Sequence, residues 1–137
     1  MRILGLDYGS KRIGVALSDP SETMAHPIET LQVKPDGSHL KVIKTLADAY
    51  LVSKVVVGLP YNMDGSLGNK GEEVMKWGKN LEQILGLPVI FWDERLSTSE
   101  AHDMLMAINV KGRKRKAIVD KIAASIILKG YLDSENT

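Results

Sequence analysis

The sequence predicts a mixed-sheet α/β domain with helices on both faces. Three observations predict it. Two short apolar runs flank a five-residue linker containing glycine, an unbroken β-branched run lies at 54–58, and helix-period stripes alternate with strand-like runs through the second half. The chain has 137 residues, the length of one ordinary domain, so 1–137 is read as a single unit.

RILGLD at 2–7 is short, apolar and followed by Gly9-Ser10, which marks a strand and a turn. IGVALS at 13–18 is the second strand, and the YGSKR linker makes the two an antiparallel hairpin. Gly5, Gly14 and Ala16 are small, as residues in a strand are where another backbone or a ligand comes close. HPIETLQV at 26–33 is the third strand, with Pro27 near its start. Pro35-Asp36-Gly37 is a turn, and Ser38 is placed to cap a helix reaching about 51, with Leu40, Ile43, Leu46, Ala47 and Tyr50 or Leu51 as its stripe. KVVVG at 54–58 suits a strand buried on both faces. After the polar loop 59–69, a helix over 70–85 carries Val74, Trp77, Leu81, Ile84 and Leu85 on one side, and Gly86 stops it. PVIFW at 88–92 is the last strand. A helix starting at Ser97-Thr98-Ser99-Glu100 follows, then a basic loop at 111–116, then a final helix over 117–132 with Val119, Ile122, Ala123, Ile126 and Ile127 as its stripe. The β-α-β units of the second half imply right-handed parallel crossovers.

Composition removes several function classes. The chain has no cysteine and three scattered histidines, which excludes disulfides, thiolate zinc sites and cysteine nucleophiles and makes a histidine zinc site improbable. No apolar run approaches the ~20 residues that span a bilayer, and the N-terminus lacks the signal-peptide layout. A cytoplasmic protein with no membrane partner is expected. Net charge is only +1, but residues 1–110 hold 11 basic and 14 acidic residues whereas 111–137 hold 7 and 3. Lys111, Arg113, Lys114, Arg115 and Lys116 form the dense part, and their composition suggests a mobile loop without nucleic acid. Such a segment suits contact with a polyanion; the alternative is a solvated loop that aids solubility.

Three acidic sites stand at positions where α/β sheets gather chemistry. Asp7 ends the first strand, Asp93 and Glu94 end the last, and Asp120 lies near the start of the final helix beside Ala123 and Ala124. Carboxylates held together repel one another unless a cation joins them. Mg²⁺ accepts oxygen ligands of this kind, and two such ions can activate a water and stabilise the leaving oxygen of a phosphodiester. Taken one at a time, Asp7 also reads as a turn residue, Asp93-Glu94-Arg95 as a surface ion pair and Asp120 as a first-turn acid. Spacing alone does not assemble the three.

Four stretches together resemble the YqgF family of Holliday-junction resolvases and pre-16S rRNA nucleases: LGLDYGSKRIGVALSD (4–19), VVGLPYNMDGS (56–66), WDERLST (92–98) and DKIAASIILKGYL (120–132). They cover essentially the whole chain in order. The resemblance implies a ribonuclease H-like fold, a five-stranded mixed sheet whose first three strands form an antiparallel meander. It implies Asp7, Glu94 and Asp120 as a catalytic set holding Mg²⁺ or Mn²⁺, with Asp93 as the alternative to Glu94, since neighbours on a strand face opposite ways. It implies an endonuclease acting on structured RNA, in 5′-end processing of pre-16S rRNA, or on branched DNA, as a monomer or homodimer. A binding module without catalysis is the rival. Lys11, Arg12, Arg95 and the cations from Lys111 to Lys116 are the candidate nucleic-acid contacts. Lys11 and Arg12 also read as a polar hairpin tip, and 62–66 as a structural turn.

Overall fold

The computed structural model describes residues 1–96 and 113–136, with 96 and 113–115 described by their backbone only. The order is β1 (Arg2–Tyr8), β2 (Arg12–Ser18), β3 (Ala25–Gln32), α1 (Ser38–Ala49), β4 (Val52–Leu59), α2 (Asn69–Leu85), β5 (Val89–Asp93), a 3₁₀ turn (Glu94–Leu96) and α3 (Arg113–Glu135). The expected helix after Ser97 falls outside the described residues.

The five strands form one sheet in the order β3-β2-β1-β4-β5. β1–β2 and β2–β3 are antiparallel, while β1–β4 and β4–β5 are parallel. This is the predicted mixed sheet. Leu6 pairs with Val57, and Gly58 with Trp92, so β1, β4 and β5 finish at one edge of the sheet.

Alternation along the strands sends successive residues to two separate cores. Leu4, Leu6, Ile13, Val15, Val55 and Val57 pack against Ile43 of α1 and Val74 and Leu81 of α2. Ile3, Ala16 and Val56 pack on the other face against Ala124, Ile127, Leu128, Tyr131 and Leu132 of α3. Full burial of each such side chain contributes roughly 1.5–3 kcal/mol.

The small strand residues lie under α3. A Cβ on Gly14 would overlap the Asp120 carbonyl oxygen, and one on Gly5 would lie 2.7 Å from the Leu128 Cβ. The helix backbone therefore rests almost directly on β1 and β2, an approach that larger residues would prevent.

Several local expectations are corrected. α3 begins at Arg113, so the basic segment is helical from there on rather than a loop. Lys and Arg are good helix formers, and solvation of a charge run says nothing about its backbone. Asp120 consequently lies in the interior of α3 and is not a first-turn acid. The buried stripe of α3 is Ala124, Ile127, Leu128, Tyr131 and Leu132, rotated from the expected one, with Leu128 over Gly5 and the Asp120 carbonyl over Gly14. Gly37 rather than Ser38 is the N-cap of α1, and Asp36 Oδ1 accepts the Ser38 N–H at 3.0 Å. Tyr50 and Leu51 are exposed, outside the α1 stripe. Gly86 stops α2 as expected, at φ 67°.

Candidate active site

The edge where β1, β4 and β5 end carries the acidic residues. Asp7 is the penultimate residue of β1 and shares the face of Ile3 and Gly5, the face covered by α3. Opposite it on β2 is Gly14, the residue over which Asp120 passes. Gly58, near the end of β4, leaves room on the same face: a Cβ there would lie 2.8 Å from Glu94 Oε1 and 2.5 Å from Ile127 Cδ1. Two glycines thus clear the space into which Glu94 and the Asp120 turn of α3 are drawn toward Asp7.

Asp7 and Glu94 are hydrogen-bonded to each other. The Asp7 carboxyl is pushed up to about 7, first by burial, then by the charges of Glu94 and Asp120, with Lys70 pulling the other way. Burial also pushes Glu94 up, against its bond to Asp7 and the Lys70 charge, while Asp93 adds to the rise. Burial and repulsion from neighbouring carboxylates outweigh the Lys70 charge at both groups, so each carboxyl favours its protonated form more than an ordinary one does. Asp120 has a cation in contact: Arg12 Nε donates to its Oδ2 at 2.6 Å, in a half-buried ion pair.

Asp93 and Glu94 diverge. Asp93 is the last residue of β5, but Glu94 opens the 3₁₀ turn, so strand alternation does not relate them. Asp93 accepts from the Arg95 backbone N–H at 2.9 Å and from Arg95 Nη2 at 2.8 Å, which holds its carboxyl below the usual carboxylate range. Arg95 also donates to the Asn62 carbonyl at 3.3 Å and lies over the Tyr61 ring. It thereby ties the 60–68 loop to the end of β5. The loop's polar residues bond one another: Asp64 Oδ1 accepts from Ser66 N–H and hydroxyl, and Asn62 Nδ2 donates to Ser66 Oγ at 3.0 Å. With Gly65 at φ 87°, this is a self-contained turn.

A cleft opens beside the cluster, lined by Asp7, Tyr8, Gly9, Ser10, Lys11, Arg12, Lys70 and Asp120. Of the predicted nucleic-acid contacts, Lys11 and Arg12 line it and Arg95 lies beside Asp93. Lys116 is exposed on α3, Arg113, Lys114 and Arg115 are helical in backbone, and Lys111 lies outside the described residues. Sequence reasoning missed Lys70. The signal was available: it stands at the start of α2, directly after the loop leaving β4, and so at the same sheet edge as Asp7. His39 is buried and accepts the Lys34 N–H at Nδ1, 3.1 Å away.

The donor chemistry fits a hard divalent cation: the cluster offers carboxylate oxygens only. Among the described residues no three His, Asp or Glu side chains are close enough to hold one ion in this conformation. Asp7 and Glu94 form a pair, and Asp120, held by Arg12, is the third carboxylate that would hold such an ion.

The sequence and the fold both have relatives. Residues 1–134 match the family model described as RuvX, Holliday junction resolvase. A protein of Caldanaerobacter subterraneus subsp. tengcongensis named "Putative pre-16S rRNA nuclease" is 50% identical over 136 residues, covering 98% of each chain. One of the same name from Bacillus licheniformis is 47% identical over 139 residues, covering all of both chains. Among solved structures, Thermus thermophilus RuvC in complex with a Holliday junction substrate aligns with a TM-score of 0.64 at 13% identity, covering 100% of this chain and 98% of that one. Fowlpox virus resolvase with its junction DNA aligns at 0.60 and 14% identity, covering both chains fully. These likenesses show the ribonuclease H-like fold of the resolvases.

Proposed function

The chain belongs to the RuvX family of Holliday junction resolvases, a family of nucleases, and on that premise we propose that it is a divalent-metal-dependent endonuclease. It hydrolyses phosphodiester bonds at Asp7, Glu94 and Asp120, and its substrate is precursor 16S rRNA, trimmed at the 5′ side in the cytoplasm. The observation that carries the reading is the hydrogen-bonded Asp7–Glu94 pair, with Asp7 opening on a cleft that Asp120, Lys11, Arg12 and Lys70 also line. Such a cluster is costly in a folded protein unless a cation or a function requires it.

Asp7, Glu94 and Asp120 would hold Mg²⁺ or Mn²⁺. When bound, the ion supplies Lewis-acid stabilisation of the charge that develops on the phosphate oxygens and lowers the pKa of water. The chain's own residues do the rest. Lys70 and Lys11 face the cleft, where their charges attract and orient the phosphodiester. Arg12 holds Asp120 in place through its Nε and lines the cleft, where its guanidinium would face the substrate phosphate. Arg95 is engaged by Asp93 and Asn62 and acts as a brace for the loop above the site.

The relatives' name favours the rRNA substrate. Cleavage of branched DNA is a second reading, favoured by the family description and the likeness to resolvases. The test is a cleavage assay in Mg²⁺ or Mn²⁺ on an rRNA-precursor fragment and a four-way DNA junction, with wild type and Asp7→Asn. Wild type is expected to cut the RNA while Asp7→Asn loses about 10³-fold or more of the rate. Cutting of the junction alone would assign the DNA role, and binding without cutting would make the chain a nucleic-acid-binding module.

A further inference from the structure

A second groove adjoins the active-site cleft on the β3 side of the sheet. Lys11, Arg12, Gln32, Lys34, Lys116 and Ala117 line it, and it encloses about 500 Å³. Four of these six residues are cations, of which Arg12 is already paired with Asp120, and none is acidic. Lys11 and Arg12 belong to both hollows, so the groove continues the cleft rather than standing apart from it.

Its walls are held in place from behind. The Val33 N–H donates to the Lys11 carbonyl at 2.9 Å, which joins the end of β3 to the β1–β2 turn. The next residue, Lys34, has its N–H bonded to buried His39, and this leaves the ammonium as the free end of an anchored residue. Thr30 Oγ1 donates to the Ala117 carbonyl, which pins α3 against β3 beside Lys116. Asp36 is the acid near Lys34, and its carboxylate is occupied by the Ser38 N–H. Like charges gathered in a fixed concave surface are unfavourable alone and favour an extended polyanion.

We propose that this groove is a flanking-phosphate subsite. It holds the sugar-phosphate backbone of the nucleic acid on one side of the scissile bond, with Lys34 as its outermost phosphate contact and Gln32 bonding to sugar or phosphate oxygens. The proposal rests on the nuclease reading for where the scissile bond lies. It also sets the path of the strand, from the Asp7 cleft past Lys11 and Arg12, between the end of β3 and the start of α3.

The experiment measures binding separately from cleavage. Fluorescence anisotropy with a labelled rRNA-precursor fragment and its DNA counterpart, in EDTA, gives Kd across a salt series for wild type, Lys34→Ala and Lys79→Ala. Lys34 and Lys79 are both exposed, and Lys79 lies on α2 away from the groove. Lys34→Ala is expected to weaken binding about five- to tenfold at low salt and to flatten the log Kd–log salt slope by about 0.7–0.9, one phosphate contact. Lys79→Ala is expected to match wild type. Loss on both nucleic acids identifies the backbone phosphate as ligand, and loss on RNA alone identifies an RNA strand in the groove. The proposal is overturned if Lys34→Ala binds like Lys79→Ala, or if wild type binds neither nucleic acid. A Lys34-dependent protein that never cuts in Mg²⁺ would keep the subsite and remove the nuclease reading. A protein that cuts but ignores Lys34 would do the opposite.

Discussion

Asp7 titrates near neutrality because burial and two neighbouring carboxylates oppose its ionisation. The folded state therefore binds a proton that the unfolded chain, with an ordinary carboxyl near 3.8, has already released. Between about pH 4 and pH 7 this group makes the metal-free protein less stable as pH rises, and above 7 the whole penalty is present. Thermal melts in EDTA should show a higher Tm at pH 5 than at pH 8, and Asp7→Asn should flatten that difference and raise Tm at pH 8. Asp19 has the opposite sign. Ser21, Thr23 and the backbone of Thr23 and Met24 all donate to it, which holds its carboxyl well below the usual range. Its contribution is present above about pH 4 and is lost as pH falls. Asp19→Ala should reduce stability at pH 7 and shrink the difference between variant and wild type in acid, read by urea denaturation. Arg12 neutralises Asp120, and Arg12→Ala should destabilise the metal-free protein by about 1–2 kcal/mol, since it leaves a half-buried carboxylate facing two others.

At the scale of elements, the seat of α3 on the sheet sets the site. Gly14 meets helix backbone, which cannot move without lifting the helix, whereas Gly58 meets the ends of the Ile127 and Glu94 side chains. The two positions should differ on substitution. Gly14→Ala should cost about 3 kcal/mol or more in urea denaturation, with broadened near-UV dichroism from Trp92 and Tyr131 on the α3 face. Gly58→Ala should cost about 1–2 kcal/mol and lower cleavage more than its stability change accounts for, because Glu94 must rotate away. The small residues of the first hairpin were legible from sequence as points of close approach. Which element approached them was not, since the pattern of a strand names no partner.

At the scale of the molecule, the three acids come from β1, the 3₁₀ turn and α3, spread over more than 110 residues of chain. On the proposed reading, an ion held by these three would tie α3 to the sheet edge and would bind the folded state alone. Mg²⁺ at 100 times its Kd should stabilise wild type by about 2.7 kcal/mol, and the gain should be absent in Asp7→Asn. Calorimetry at pH 7 should also show proton release on binding, since the Asp7 carboxyl, pushed up to about 7, must ionise to hold the ion.

The order of the described strands and helices, the antiparallel first hairpin, the mixed sheet and the family were legible in the chain, because alternation, helical period and glycine punctuation are local properties. The sequence also placed Asp7 at a strand end with small residues around it. That Glu94 turns toward Asp7 while Asp93 is taken by Arg95 became visible in three dimensions alone, since both follow an apolar run whose two faces read alike. Only the structure showed Arg12 on Asp120, Lys70 over the acidic pair and Lys34 at the wall of the second groove. Those pairings depend on where α2, α3 and the end of β3 come to rest in space, and no spacing along a single chain encodes the distance between residues that meet only after folding.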